Sequence, residues 1–217
     1  MSTSDRPARR PLFLVLEGID GSGKTTQQQL LADWLRDQGE SVTCCRDPGD
    51  TPLGQQLREI LLHSAGDLHP MSEALLFLAA RAELIRQVIR PARERGDWVV
   101  CDRFLLSTVV YQGHAAAERI DPNWLWSVGR EAAFGLMPDL ILLLDLPLEV
   151  AIQRSRRQDR FEARGREFQE RVRRGFLIEA DRQPERIRIV DAEGGPDEVQ
   201  RRIRDEVERV LERHPRA

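Results

Sequence analysis

At 217 residues the chain is long enough to bury a core of its own, and its formal net charge of −3 excludes the basic excess that bulk nucleic-acid binding needs. Its apolar runs fall far short of the ~20 residues that span a bilayer, which excludes a helical membrane anchor. The three cysteines, Cys44, Cys45 and Cys101, lack metal-ligand spacing, and adjacent cysteines rarely pair, so a reducing, cytoplasmic compartment is expected.

Taken in chain order, Met1 to Pro11 carries charge but no apolar stretch for a signal peptide, and reads as a flexible tail (residues 1–11) ahead of a single domain (residues 12–217). Leu12 to Leu16 is a short apolar run ending in a glycine-rich turn, the pattern of a buried parallel strand. Thr25 to Gln38 has apolar residues at helical spacing, with Gly39 as its stop. Ser41 to Arg46 predicts a second strand, broken by Pro48-Gly49-Asp50, and Pro52 to His63 a helix. A long helix is expected from Met71 to about Arg95, bent or broken at Pro91. Trp98 to Cys101 predicts a third strand, ending in Asp102-Arg103, and Pro122 to Phe134 a helix. Leu140 to Leu144 predicts a fourth strand, ending at Asp145. Glu149 to Arg157 begins a helix, Arg157 to Gly165 is a charged connector, and Glu167 to Asp181 is helical. Ile187 to Val190 is the last strand, and Pro196 to Arg213 a closing amphipathic helix. Short apolar strands alternating with amphipathic helices predict an α/β fold, a parallel sheet covered on both faces. Ligands in such folds bind beyond the carboxyl ends of the strands.

The chemistry-bearing residues follow strands. Of 33 basic side chains only Lys24 is a lysine, and it sits in Gly18-Ile19-Asp20-Gly21-Ser22-Gly23-Lys24-Thr25. This is the G-x-x-x-x-G-K-[ST] phosphate loop, placed between a strand and a helix. Its glycines turn backbone N–H groups onto an anion, the helix N-terminus adds positive charge, and Thr25 offers a hydroxyl to Mg²⁺. Asp102, ending the third strand, either holds the Mg²⁺ hydration shell or caps a helix; Arg103 beside it faces a second phosphate or forms an ordinary ion pair. Arg46, before Asp47-Pro48-Gly49, either clamps an anion or simply enters a turn. Phe77 and Arg81, four apart on one helix face, suit either a stacked base and its polar edge or a core phenylalanine with a snorkelling arginine. Ser107, Thr108, Tyr111 and Gln112 offer hydroxyl and amide groups that would either read a base edge or support one. Arg154, Arg156, Arg157 and Arg160 form either a solvated face or a mobile flap over a triphosphate.

Taken together and in this order, these motifs resemble the thymidylate kinase family of P-loop nucleoside monophosphate kinases, over roughly Pro11 to Leu211. The resemblance implies a three-layer P-loop NTPase fold, with a five-stranded parallel sheet flanked by helices and a short arginine-rich lid at about residues 154–166. It implies transfer of the γ-phosphoryl of ATP to dTMP, with Mg²⁺, in a homodimer. Gly18 to Thr26, including Lys24, Thr25 and Thr26, would hold ATP; Thr25, and Asp102 through water, would hold the metal. Asp20, Arg46, Leu57, Phe77, Arg81, Arg103, Ser107, Thr108, Tyr111 and Gln112 would bind dTMP. Some members carry a basic residue where this chain has Gly21, so the catalytic charge is expected from Lys24, Arg103 and the lid residues Arg154, Arg157 and Arg160. Asp47 and Asp50 stand where many relatives read Glu and Gly. The alternatives are a kinase of another nucleoside monophosphate or of a deoxynucleoside, and a non-catalytic nucleotide-binding regulator.

Overall fold

The computed structural model describes residues 10–64, 68–154, 161 and 164–213, with the side chain of Arg213 excepted. Residues 1–9 of the tail expected over 1–11 and most of the expected lid, including Arg156, Arg157 and Arg160, lie outside the described residues, while Arg10 donates to Asp139 and the Pro11 carbonyl accepts from Arg93.

Five parallel strands form one sheet in the order β2-β3-β1-β4-β5. They are β1 (Phe13–Glu17), β2 (Val42–Arg46), β3 (Trp98–Asp102), β4 (Leu140–Asp145) and β5 (Ile187–Asp191). The central strands β1 and β3 are buried along their whole length, as near-continuous apolar runs require in a sheet covered on both faces. Register sets the site: Leu16 of β1 pairs with Asp102 of β3, which in turn pairs with Arg46 of β2. Chain reversal on either side of β1 opens a crevice at its carboxyl end, and the phosphate loop leaves β1 there.

The helices follow the sequence closely. They are α1 (Lys24–Asp37), α2 (Pro52–His63), α3 (Pro70–Leu84), α4 (Arg90–Glu94), α5 (Leu105–Thr108), α6 (Pro122–Ala132), α7 (Leu148–Arg154), α8 (Arg166–Arg182) and α9 (Pro196–Arg213). Beyond the end of α1, Gly39 adopts φ 87°, a left-handed conformation that glycine takes without strain. Thr51 caps α2 by accepting from the Gly54 N–H at 2.9 Å. No described helix is long and apolar enough to cross a membrane.

Two differences from the sequence reading have physical causes. The long helix expected over 71–95 is interrupted before Pro91, by a π-turn at Ile85–Ile89 that ends with the Arg90 N–H bonded to the Ile85 carbonyl. Proline lacks an N–H and crowds the carbonyl one turn back, and the widened turn accommodates both. The chain between β3 and α6, left unassigned by periodicity, forms α5 and a second π-turn at Val109–Ala115. Most of this segment is buried, so it has no polar face to give a 3.6-residue rhythm, and Thr108, Val109 and Val110 are β-branched.

Candidate functional site

Two neighbouring rooms, which share three lining residues, lie at the carboxyl ends of the strands. The larger, about 530 Å³, is lined by the phosphate loop from Asp20 to Gln27, by Arg46, Asp102 and Arg154, and by Ala192, Gly194 and Pro196 after β5. The smaller, about 70 Å³, is lined chiefly by side chains of α3, α5 and the second π-turn, with Phe161. Asp20, Arg58 and Arg103 line both rooms.

The larger room is built mainly from backbone. Gly18, Gly21 and Gly23 take φ values of 138°, 80° and 93°. At Gly21 a Cβ would overlap the carbonyl of Ala151, so α7 packs directly on the loop there. The Lys24 ammonium is nearly buried and donates to the carbonyl oxygens of Gly18 (3.1 Å) and Ile19 (2.9 Å), with Asp20 Oδ1 at 3.9 Å. Burial, helped by the charge of Arg103, lowers its pKa from 10.5 to about 8, against the opposing pull of Asp20, Asp102 and Glu17. The Thr25 hydroxyl donates to Asp102 Oδ2 at 2.9 Å, which places one hydroxyl and one carboxylate side by side. Among the described residues no cluster of His, Cys, Asp and Glu forms a complete metal cage. That pair instead suits a hard cation that takes its other ligands from water and phosphate. Arg154 donates to the carbonyls of Ala192 (3.1 Å) and Gly194 (3.2 Å), which ties the end of α7 to the loop after β5.

Arg103 joins the rooms. Its Nη1 donates to the Gly18 carbonyl (3.1 Å) and Ser107 Oγ (3.0 Å), and its Nη2 to Asp20 Oδ1 (2.7 Å). Its guanidinium also lies over the Tyr111 ring, 5.5 Å from the centroid. The backbone of Arg103 is left-handed, at φ 70°, an unfavourable state for a side-chain-bearing residue that the surroundings must enforce. Glu17 does much of this. Fully buried at the end of β1, it accepts from the N–H groups of Phe104 (2.9 Å) and Ser107 (3.1 Å) and from Ser107 Oγ (2.6 Å). Burial pushes its carboxyl above the usual carboxylate range, although Arg103 pulls the other way.

The smaller room is built from side chains. Arg81, 1% exposed, donates through Nε to Asp47 Oδ2 (2.5 Å) and through Nη2 to Thr108 Oγ1 (3.0 Å), which leaves Nη1 buried with no protein partner. Burial raises the Asp47 pKa, and Arg81 opposes the rise. Gln112 donates through Nε2 to the buried Glu73 at 2.9 Å, which leaves its Oε1 buried and unpartnered. Phe77 and Tyr111 both pack on Phe161, with ring centroids 6.2 Å and 5.7 Å away.

The sequence-predicted residues mostly converge. Gly21 to Thr26, Arg46 and Asp102 line the larger room; Phe77, Arg81, Ser107, Thr108, Tyr111 and Gln112 line the smaller; Asp20 and Arg103 line both. Leu57 lines neither room and is buried on α2. Asp50 does not line the smaller room; its carboxylate accepts from the Arg46 N–H at 2.7 Å and closes the turn after β2. Sequence reasoning missed Arg58, Phe161 and the Ala192–Pro196 loop. The rule that ligands sit beyond strand ends, applied to β5, points to that loop; no comparable signal marks Arg58.

A family model described as thymidylate kinase matches residues 16–203. A thymidylate kinase of Rhodopirellula baltica is 43% identical over 201 residues, covering 91% of this chain and 81% of that protein. One from a Synechococcus strain is 46% identical over 198 residues, covering 91% and 94%. The crystal structure of thymidylate kinase from Ehrlichia chaffeensis superposes with a TM-score of 0.74 at 30% identity, covering 91% of this chain and 98% of that one.

Proposed function

The chain belongs to the thymidylate kinase family, and from that premise we infer that it moves the γ-phosphoryl group of ATP onto the 5′-phosphate of dTMP, giving dTDP and ADP. The observation that carries this reading is the junction: Asp20, Arg58 and Arg103 line both rooms, so two cationic side chains face the place where two phosphates would meet. In the transfer, an oxygen of the acceptor phosphate forms a bond to the γ-phosphorus. The bond to the bridging oxygen of ADP breaks. Little covalent chemistry is left to the protein beyond alignment and neutralisation of charge.

The larger room takes ATP, with the phosphates on the loop from Gly18 to Thr26 and Lys24 supplying the loop's ammonium. Thr25 directly, and Asp102 through water, are the residues that would hold Mg²⁺, which supplies charge neutralisation on the donor phosphates when bound. The smaller room takes dTMP. Phe77 stacks the base, Arg81 Nη1 donates to a base carbonyl, and Gln112 Oε1 accepts from the ring N–H. Arg46, Arg58 and Arg103 hold the acceptor phosphate, and Tyr111 packs against the sugar. We assign the lid role to residues 154–166, most of which lie outside the described residues. Within it, Arg154 braces the loop after β5, and Arg157 and Arg160 supply cations to the transferring group.

Steady-state rates with dTMP, dUMP, UMP and thymidine test this. The expected order puts dTMP first. Comparable turnover of thymidine, which has no 5′-phosphate, would overturn it, and ATP binding without ADP formation on any monophosphate would favour a regulator. We also place the enzyme in the cytoplasm, in keeping with its three free cysteines, and as a homodimer. Leu53 and Ile60 on α2, Leu75 on α3 and Trp124 on α6 leave apolar surface exposed on adjoining helices, which suits a second copy. Light scattering at micromolar concentration reads that state directly.

A further inference from the structure

The smaller room is shaped by a carboxylate that does not line it. Glu73 on α3 is fully buried. One of its oxygens, Oε2, accepts from Gln112 Nε2 at 2.9 Å, and the other, Oε1, accepts from Arg164 Nη2. An ionised carboxylate only accepts hydrogen bonds, so it fixes which end of the Gln112 amide faces it. The amino end is held on Glu73, and the oxygen is left as the unpartnered acceptor. Arg164 is itself held between two aromatic rings, with its guanidinium 4.8 Å from the Phe161 centroid and 5.0 Å from that of Phe168. Phe161 forms a wall of the same room. The backbone carbonyl of Phe161 is also fixed, by Gln169 Nε2 at 3.0 Å.

We propose that Glu73 is a specificity-determining positioning residue: it locks the Gln112 amide with its oxygen toward the acceptor base, and Arg164, bonded to the other carboxylate oxygen, holds Glu73 in the orientation that does so. Such an acceptor matches a pyrimidine whose ring N3 carries a proton, as in thymine. It meets the bare N3 of cytosine as lone pair against lone pair. Flipping the amide to suit cytosine would set the Gln112 oxygen against the Glu73 carboxylate, so the carboxylate enforces the choice. The proposal rests on the dTMP reading above.

The test compares kcat/KM for dTMP and dCMP in the wild type and in Glu73→Gln and Arg164→Ala. A glutamine at position 73 both donates and accepts, so it frees Gln112 to turn over. In Glu73→Gln the dTMP:dCMP ratio is expected to fall about tenfold, mostly through KM for dTMP and through gained use of dCMP, with kcat changed far less. Arg164→Ala should lower the ratio in the same direction by about threefold, and Glu73→Asp should restore part of it. Equal loss with both nucleotides, or rejection of dCMP as strong as in the wild type, overturns the proposal. Should Glu73→Gln fail to fold, the wild type labelled with ¹⁵N at glutamine side chains answers alone. The Gln112 NH₂ proton held on Glu73 should stay protected from solvent exchange when dTMP is added, and loss of that protection overturns the lock. Wild type inactive on dTMP would instead defeat the kinase reading, independently of Glu73.

Discussion

The two rooms are made by different means. The larger is centred on one stretch of backbone, where glycines in left-handed conformations turn a loop inward and the lysine and threonine that follow sit at the start of α1. The smaller is assembled from side chains far apart in the chain: Arg81 reaches Asp47 across 34 residues, Gln112 reaches Glu73 across 39 and Arg164 reaches Glu73 across 91. A site written in consecutive residues depends on local conformation, whereas a site held by buried ion pairs depends on the whole fold. Damage to the first should therefore strike rate and spare stability, and damage to the second should strike both stability and acceptor affinity.

The largest expected effect tests the first half of that contrast. Lys24→Ala should lower kcat by about 10³-fold or more, because it removes an oriented charge from the phosphates in a partly desolvated site. The circular dichroism spectrum and thermal midpoint should hold or rise slightly, since the buried ammonium is itself costly to desolvate. Near-normal turnover, or a protein that unfolds, would break the contrast. Asp47→Ala tests the second half. It leaves Arg81 buried without its carboxylate, a change that costs about 3 kcal/mol or more. Denaturant unfolding should show that loss, and KM for dTMP should rise several-fold more than KM for ATP. Equal changes in both constants would mean that the rooms are not separately supported.

The same contrast explains what the sequence revealed. Gly18 to Thr25 is legible because its spacing carries the signal: glycines and the Lys-Thr pair stand at the positions that a phosphate loop requires of consecutive residues. Asp102 and Arg103 were legible because they end a run that reads plainly as a strand. Phe77 and Arg81 share a helix face, but whether that face met a ligand or the core depended on Asp47, Thr108 and Phe161, none of which is near them in sequence. Glu73 and Arg58 gave no signal at all; on a helix they read as ordinary surface charges until tertiary packing turns them inward. Leu57 was carried by family likeness alone, and packing placed it in the interior instead. Ser107, Thr108, Tyr111 and Gln112 drew notice by side-chain chemistry, but the helical structure of Leu105 to Ala115 stayed unread because burial on nearly all sides removes the polar face that periodicity needs.

The smallest expected effect is a titration, and it sharpens the comparison by isolating one group of the larger room. The folded chain holds the Lys24 pKa at about 8, well below its ordinary 10.5, because the fold disfavours the ammonium. Between those values the unfolded chain binds the extra proton, so this group makes the fold more stable as pH rises through that window. Nucleotide binding has the opposite sign. A triphosphate on the loop favours the ammonium and raises the pKa in the complex, so binding near and above pH 8 takes up a proton. ATP affinity should then be level below pH 7 and fall by up to about tenfold per unit above pH 8. Calorimetry in two buffers of different ionisation enthalpy counts the proton directly. Proton uptake near pH 8.5 that disappears in Lys24→Ala assigns the titration to this lysine. Uptake that persists in the variant assigns it to another group at the junction, and the larger room would then depend on its neighbours as much as the smaller one does.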